Sequence, residues 1–555
     1  MSRLNSSRTS LSRLSGPGSF SIADAFENLM DKPWLPRSWL VRLYPRDVDT
    51  STDPPTILTP PGTTIEGIHL STDGHKTLET DSITLQFREA VIDPYSLTYE
   101  IKNGLWGVVS ASEGVIRLAN ADNKLNFMLR HDFEGRAVDV LVGPQNGSFV
   151  QFATVGELLS RSILHNRDTI SVSVDDKSFL FDKRIQSTLY LGTGSLEGDE
   201  AIKGKPKPLL FGEVPRLEPV LVTGGSSFIY QVNDGAWEAA GGVEDKGISL
   251  AFDADVADIT TATPASGEFS TSLATGYIKL GSKPNGTVIV TNAKGHNSST
   301  YGYVDAISGL IRLLITEFGG LSDPADLDLI EFVNLESFTA KMGHWTGLEQ
   351  ESIADVMRVF FDAALAWGWL KPNNIYTTGR ITDPDLLTPD VVLGQQNDIK
   401  LSPWSMDHWE RTPARIRVGY ARYFKTLNAS DLASTVTDEF QQDVKEEYRF
   451  VSNATGTAAK FIQTPLAQEL TILTQLTEES DAQAIADEQF ALRNPLRRKG
   501  IISPLKGLIK IGIGSIIELT DDRQHVGVKN WVVVGVKNSA ARQNSDDVVE
   551  WTVFG

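Results

Sequence analysis

Apolar residues in this chain arrive in short runs that alternate with polar ones. None of the runs approaches the roughly 20 consecutive apolar residues that a membrane helix needs. Alternation at period two puts successive side chains on opposite faces of an extended strand. Residues 38–44 and 83–87 alternate in this way, and residues 105–110, 114–119, 137–142 and 169–174 are further runs of strand formers. Turn clusters at Asp53-Pro54-Pro55, Pro60-Pro61-Gly62 and residues 143–147 separate them at sandwich-like spacing. The stretch from Trp39 to about Ile202 therefore predicts a mostly antiparallel β domain.

Such strands must bury their faces, and with 555 residues the chain is long enough for three or four cores. It contains no cysteine, which excludes disulfides, thiolate metal sites and cysteine nucleophiles. Stability must come from buried area, including area buried between subunits. The N-terminus has no apolar segment of a secretory signal, so synthesis in a cytoplasm is expected. Residues 1–20 carry three arginines and no acids among Ser, Gly and Pro, and read as a flexible basic arm. A short helical pattern follows at residues 21–30.

Beyond residue 202, Pro206, Pro208 and Gly212 set an extended crossing between two domains, because proline fixes φ and glycine permits close backbone approach. Residues 276–291, with Asn285-Gly286 at the centre, predict a hairpin. Helical periodicity appears only after residue 300. It covers Val304 to Phe318, a helix capped at Asp323-Pro324, and one opened by Ser352 that carries Val356, Phe360, Ala364, Trp367 and Trp369. Ser430 is expected to cap a helix bearing Leu432, Val436, Phe440, Val444 and Tyr448, and residues 481–493 form another, stopped by Pro495. Short strands end the chain. The expected division is an arm at 1–30, a β hub domain at 31–205 and a β domain at 206–300. Two α+β domains follow at 301–400 and 401–500, then a small β barrel at 501–555. The fold class is multidomain and mainly β, with antiparallel sandwich or barrel domains and an α+β insertion.

The side chains that could do chemistry do not converge. The eight histidines are scattered, none in a His-Glu-x-x-His pattern, and read as surface or loop residues. Gly192, Gly194 and Gly198 have the wrong spacing for a dinucleotide loop, and Pro206 stands where a phosphate loop needs Ser or Thr. Counted from Asp253, with Asp255 and Asp258 following, a calcium loop would need glycine at its sixth position and an acid at its twelfth, and has neither. No cofactor, metal ligand or catalytic residue is expected. The net charge of −20 argues against primary binding to nucleic acid, whose affinity rests on cations, but suits a wall that DNA passes without sticking.

The segments IKGKPKPLLFGEVPRLEPVLV, IYQVNDG and GGVEDKGISL resemble phage tail-tip hub proteins of the siphovirus and gene-transfer-agent type. GVIRLANADNKLNFML and RAVDVLVG upstream are similar to the same family, as are GHWTGLEQESIADVMRVFFDAALAWGWL, RIRVGYARYF and the final IGIGSIIELT, KNWVVVGV and VVEWTVFG. The likeness runs in order over roughly residues 35–555. It implies a structural subunit of the tail tip or baseplate that forms a cyclic ring, trimer preferred over hexamer, around the DNA channel. Implied partners are the tail tube or distal tail protein, the tape measure and a fibre or spike, with DNA as passing cargo and no stable membrane insertion. The implied location is the virion's tail tip. A tail-associated cell-wall hydrolase and a host glycan- or receptor-binding tail protein are the alternatives. Charge suggests how copies would meet. Arg493, Arg497, Arg498, Lys499, Lys506 and Lys510 form a stretch without acids, while residues 469–490, with Glu478 and Glu479, carry six acids and no cations. Two readings are open: a solvated helix beside a basic loop, or opposite patches that face each other across the ring and set its register.

Overall fold

In the computed structural model the described residues run from 36 to 555. Excepted are 47, 50–55, 58–66, 78–84, 102–104, 112–113, 226, 395–404, 409–412, 454–467, 496, 505–510, 522–526 and 541–547. The expected arm, the helical pattern at 21–30, the turns at 53–55 and 60–62, Lys506 and Lys510 lie outside the described residues. The architecture is multidomain and mainly β: several curled sheets with a few helices between them.

The first sheet has eight strands and is built where the alternation is clearest. Arg37–Leu43 lies antiparallel to Arg136–Pro144, with Arg37 opposite Pro144, and Ala153–His165 and Thr169–Asp175 continue the sheet. Trp39, Val41 and Leu43 point into one core with Val138, Val140, Val142, Ile170, Val172 and Val174, as period two requires. The opposite face is not left wet. Leu40 and Leu141 bury against Phe87 and Phe152, so this strand pair is covered on both sides.

A seven-stranded and a five-stranded sheet follow. Leu210–Leu217 is the wall between two cores: Leu210, Val214 and Leu217 face Trp237, while Phe211 faces the helices. At Gly212 the backbone takes φ +64°, and a side chain there would run into the Met342 carbonyl. Gly212 sits opposite Gly343 in the ladder to Gly343–Trp345, so both partners lack a Cβ where the backbones meet.

The predicted hairpin at 276–291 does not form. Tyr277–Leu280 pairs with Phe228–Gln231 and Glu268–Ser272 in the five-stranded sheet, whereas Val288–Ser298 pairs with Leu210–Leu217 and Gly242–Asp245 in the seven-stranded one. The Asn285-Gly286 turn is instead a bridge between sheets. The Asp245 carboxylate accepts from both backbone N–H groups, at 2.8–3.0 Å, and from Asn285 Nδ2 at 2.9 Å.

Five helices among the described residues are α1 (Ile307–Leu313), α2 (Leu329–Glu336), α3 (Ile353–Ala364), α4 (Asp438–Asp443) and α5 (Glu479–Arg493). None is long and apolar enough to cross a membrane. α3 starts as expected: Ser352 Oγ accepts from the Asp355 N–H at 3.1 Å in a reciprocal capping box. α2 starts later than expected, because the Asp323 carboxylate is taken by Arg312 (2.8 and 3.1 Å) and the Tyr301 hydroxyl (2.9 Å). Trp367 and Trp369 are strand residues, not helical ones. α3 ends at Leu365, which takes φ +52°, and Ala366–Leu370 then pairs with Tyr376–Arg380. The long helix expected after Ser430 is also broken. A short turn at Ala429–Asp431 and α4 replace it, and Leu432, Phe440 and Val444 pack over Ile289 from separate pieces.

A ten-stranded sheet joins distant parts of the chain. Tyr95–Ile101 pairs with Gly527–Ala540, which also pairs with Val548–Phe554 and Ile516–Asp521, and Gly107–Ala111 lies parallel to Ala366–Leu370. The last 55 residues were expected to close on themselves as a small barrel. Their strands do pair with one another, but the sheet does not close there: Gly527–Ala540 also pairs with Tyr95–Ile101, and Trp531 and Trp551 share one core with Tyr99 and Trp369.

Candidate assembly surfaces

The residues that looked able to do chemistry are held by structural bonds. Asp253 accepts from Ser270 Oγ at 2.9 Å, Asp255 from Thr271 Oγ1 and the Leu273 N–H, and Asp258 caps the turn Ile259–Thr261 through the Thr260 N–H. Among the described residues no three His, Asp or Glu side chains converge as metal ligands. Gly192, Gly194 and Gly198 shape a loop in which Lys203 pairs with Glu200 (3.1 Å) and Lys207 with Glu197 (2.9 Å). The surface reading of the histidines needs correction. His344 is buried between the Phe360 and Phe424 rings, with Nε2 2.8 Å from Glu351, and His75 is buried against Phe87 and Phe152.

The charged patches expected to meet across a ring largely meet their complements inside the chain. Arg497 has only 3% of its side chain exposed and pairs with Asp383 at 2.7 Å and Asp385 at 3.3 Å, while its Nε donates to the Leu492 carbonyl. Arg493 is buried, donates to Gln489 and lies 5.2 Å from the Trp106 ring centre. Lys499 pairs with Glu100 at 2.9 Å, and the Arg498 backbone pairs with Gly555. Glu478 is 4.0 Å from Lys341, and Glu479 bonds the Tyr420 hydroxyl. Arg493 and Arg497 are therefore internal ties. A guanidinium buried to this extent is unavailable to a neighbour.

Pro206 forms a backbone bridge with Leu189, and the Pro208 carbonyl accepts from the Asp234 N–H. With Gly212 they make the strand entry that separates two cores. The sequence did not mark the Arg216–Glu244 pair, buried and bidentate at 3.1 and 2.6 Å, with Arg216 5.4 Å from Tyr423 and 5.2 Å from Phe440. Its partners come from segments some 200 residues apart, which no local pattern reveals. Together with Lys425–Glu218 (2.7 Å) it fastens residues 421–448 onto the seven-stranded sheet.

Among the described residues, two exposed surfaces bear on assembly. The strand Ala251–Asp255 ends the five-stranded sheet; four of its five residues are exposed, and Phe252 is 59% exposed beside Ile248. On α2, Phe332 and Leu335 face the core, while Leu329, Ile330 and Val333 are 41%, 61% and 60% exposed. Inside, Asp362 on α3 is largely buried, and that burial pushes its carboxyl up to about 6.

No family model matches this chain, and no curated protein matches it in sequence. It superposes on a tail protein from Neisseria meningitidis at 10% identity, over 85% of this chain and 93% of that one, with a TM-score of 0.34. The 43 kDa tail protein of prophage MuSo2 from Shewanella oneidensis gives 8% identity, 85% and 96% coverage, and 0.38. A chain of the native gene transfer agent virion gives 11%, 68% and 91%, and 0.39.

Proposed function

We propose that this chain is a structural protein of a phage-type tail, and more narrowly a tail-tip or baseplate hub subunit. In this reading it forms a ring around the DNA channel, with three copies preferred over six. It joins the tail tube to distal fibre or spike components and meets the tape measure, and DNA only passes through.

The observation that carries the reading is the open edge at Ala251–Asp255. An exposed strand at the end of a sheet is a template for pairing with another chain, and neighbouring copies in a closed ring are its natural cover. The ordered family likeness across residues 35–555 supports the same role, and the acidic balance suits a channel wall. Asp253, Asp255 and Asp258 serve in local capping and cross-strand bonds, and His75 and His344 in packing, as a scaffold would use them. Imaging the assembled particle tests this. Three or six copies in a closed ring at the tail tip are expected; one copy per tail, or a location along the shaft, defeats the proposal.

A further inference from the structure

The exposed face of α2 has a distinctive chemistry. Leu329, Ile330 and Val333 form an apolar ridge, since positions three and four apart share one helix face. Residues 321–340 carry five acids (Asp323, Asp326, Asp328, Glu331 and Glu336) and no Lys or Arg. Asp323 pairs with Arg312, which Glu336 also attracts, and Asp328 pairs with Lys371. The ridge thus lies in a surface with a surplus of negative charge. An exposed apolar patch with a polar rim marks a place where another surface binds.

The chain contains a segment with the opposite character. Residues 1–20 hold Arg3, Arg8 and Arg13, no acid, and Leu4, Leu11 and Leu14. It is the one long basic stretch at either end of a chain whose net charge is −20. We infer that this N-terminal segment docks on the α2 ridge of its own chain, its leucines on Ile330 and Val333 and its arginines among the acids.

The path is short enough. Pro36, where the described residues begin, is held by the Gln145 N–H at 3.1 Å, and Arg37 pairs with Pro144. Asp139 on the same strand pairs with Glu157, whose N–H donates to the Pro372 carbonyl at 2.8 Å. From there the Tyr376 N–H donates to Asp326 (2.7 Å) and the Asp328 N–H to Tyr376 (2.9 Å), at the start of α2. Strand rise and spacing make this route ~40 Å. The chain between Leu14 and Pro36 can span up to ~75 Å, so the segment reaches α2 without help from a neighbour. The inference therefore stands apart from the ring reading.

The absence of native cysteine makes the test direct. Full-length protein carrying Leu11→Cys and Asn334→Cys is oxidised mildly, and the disulfide is mapped by mass spectrometry; Leu11→Cys with Lys283→Cys is the control. An intrachain link to position 334 is expected at least fivefold above the control. That excess should fall to the control level on adding Ile330→Asp and Val333→Asp, and should weaken in 1 M salt. Both aspartates replace exposed residues, so melting is expected to stay unchanged. Equal yields at 334 and 283, or a yield indifferent to the aspartates, overturn the inference. So does a link found only between differently tagged chains, which would assign the ridge to the arm of a second copy.

Discussion

The eight-stranded and ten-stranded sheets share a hydrophobic core yet are built in opposite ways. In the first, Arg37–Leu43 and Arg136–Pro144 carry their own alternation, and Arg136–Pro144, Ala153–His165 and Thr169–Asp175 pair antiparallel in chain order. In the second, Tyr95–Ile101, Ala366–Leu370 and Gly527–Ala540 come from three remote parts of the chain. Local pattern specifies the first sheet, whereas the second exists only once the rest of the molecule has brought its strands together. A lesion in the second should therefore be felt far away in sequence.

Trp551→Ala gives the largest expected effect. Trp551 is fully buried beside Trp531 and Tyr99, and truncation of such a side chain costs about 3–5 kcal/mol. Hydrogen exchange should show lost protection at residues 95–101 as well as 548–554. Loss confined to the C-terminal strands would mean that the sheet is not one cooperative unit.

Arg497→Ala tests whether the loop at 383–387 is tied to that sheet. Removing one partner of a buried ion pair costs about 3 kcal/mol, whereas Arg498→Ala should cost under about 0.5 kcal/mol. Denaturant midpoints of the two variants decide this, and equal midpoints would restore Arg497 to the surface patch expected from sequence.

Asp362→Asn sharpens the comparison at the contact between α3 and Gly107–Ala111. The folded-state pKa of about 6 lies above the ordinary 3.8, so the carboxyl favours its protonated form in the folded chain. Its destabilisation is absent below about pH 4, grows as pH rises towards 6, and is full above it. With discounting for partial exposure, the asparagine variant should be more stable by about 1–2 kcal/mol at pH 7.5. Melting curves should converge near pH 4; a gain independent of pH would assign the effect to packing. The smallest effect belongs to Asp258→Ala, which loses only the cap of a three-residue turn and should shift the melting midpoint least of the four. A large drop in the midpoint would show that Asp258 does more than cap this turn.

These contrasts also explain what could be read from the sequence. The strands at 37–43, 114–119, 136–144 and 169–175, the Ser352 cap and the end of α5 before Pro495 rest on local chemistry, and each was legible. Trp367 and Trp369 misled because they extend the helical spacing of Phe360 and Ala364. The left-handed turn at Leu365 and the waiting partner Tyr376–Arg380 decide otherwise, and both are tertiary. The Asn285-Gly286 turn misled for a similar reason, since its N–H groups are claimed by Asp245 forty residues earlier. Charge blocks misled most. Arg497 finds partners that sequence does not place beside it and is buried, whereas Glu478 stays exposed, so only part of the one-dimensional pattern is a surface.

The pairing of Tyr95–Ile101 with Gly527–Ala540 has a consequence in time. A ribosome adding ~5–20 residues each second must translate roughly 430 more residues after the first strand before the second exists. For about 20–90 s the nascent chain carries Leu97, Tyr99 and Ile101 with one side of their strand unpaired. Whatever shields that strand in the meantime, a chaperone or a provisional contact, helps determine how much of the finished protein a cell can make.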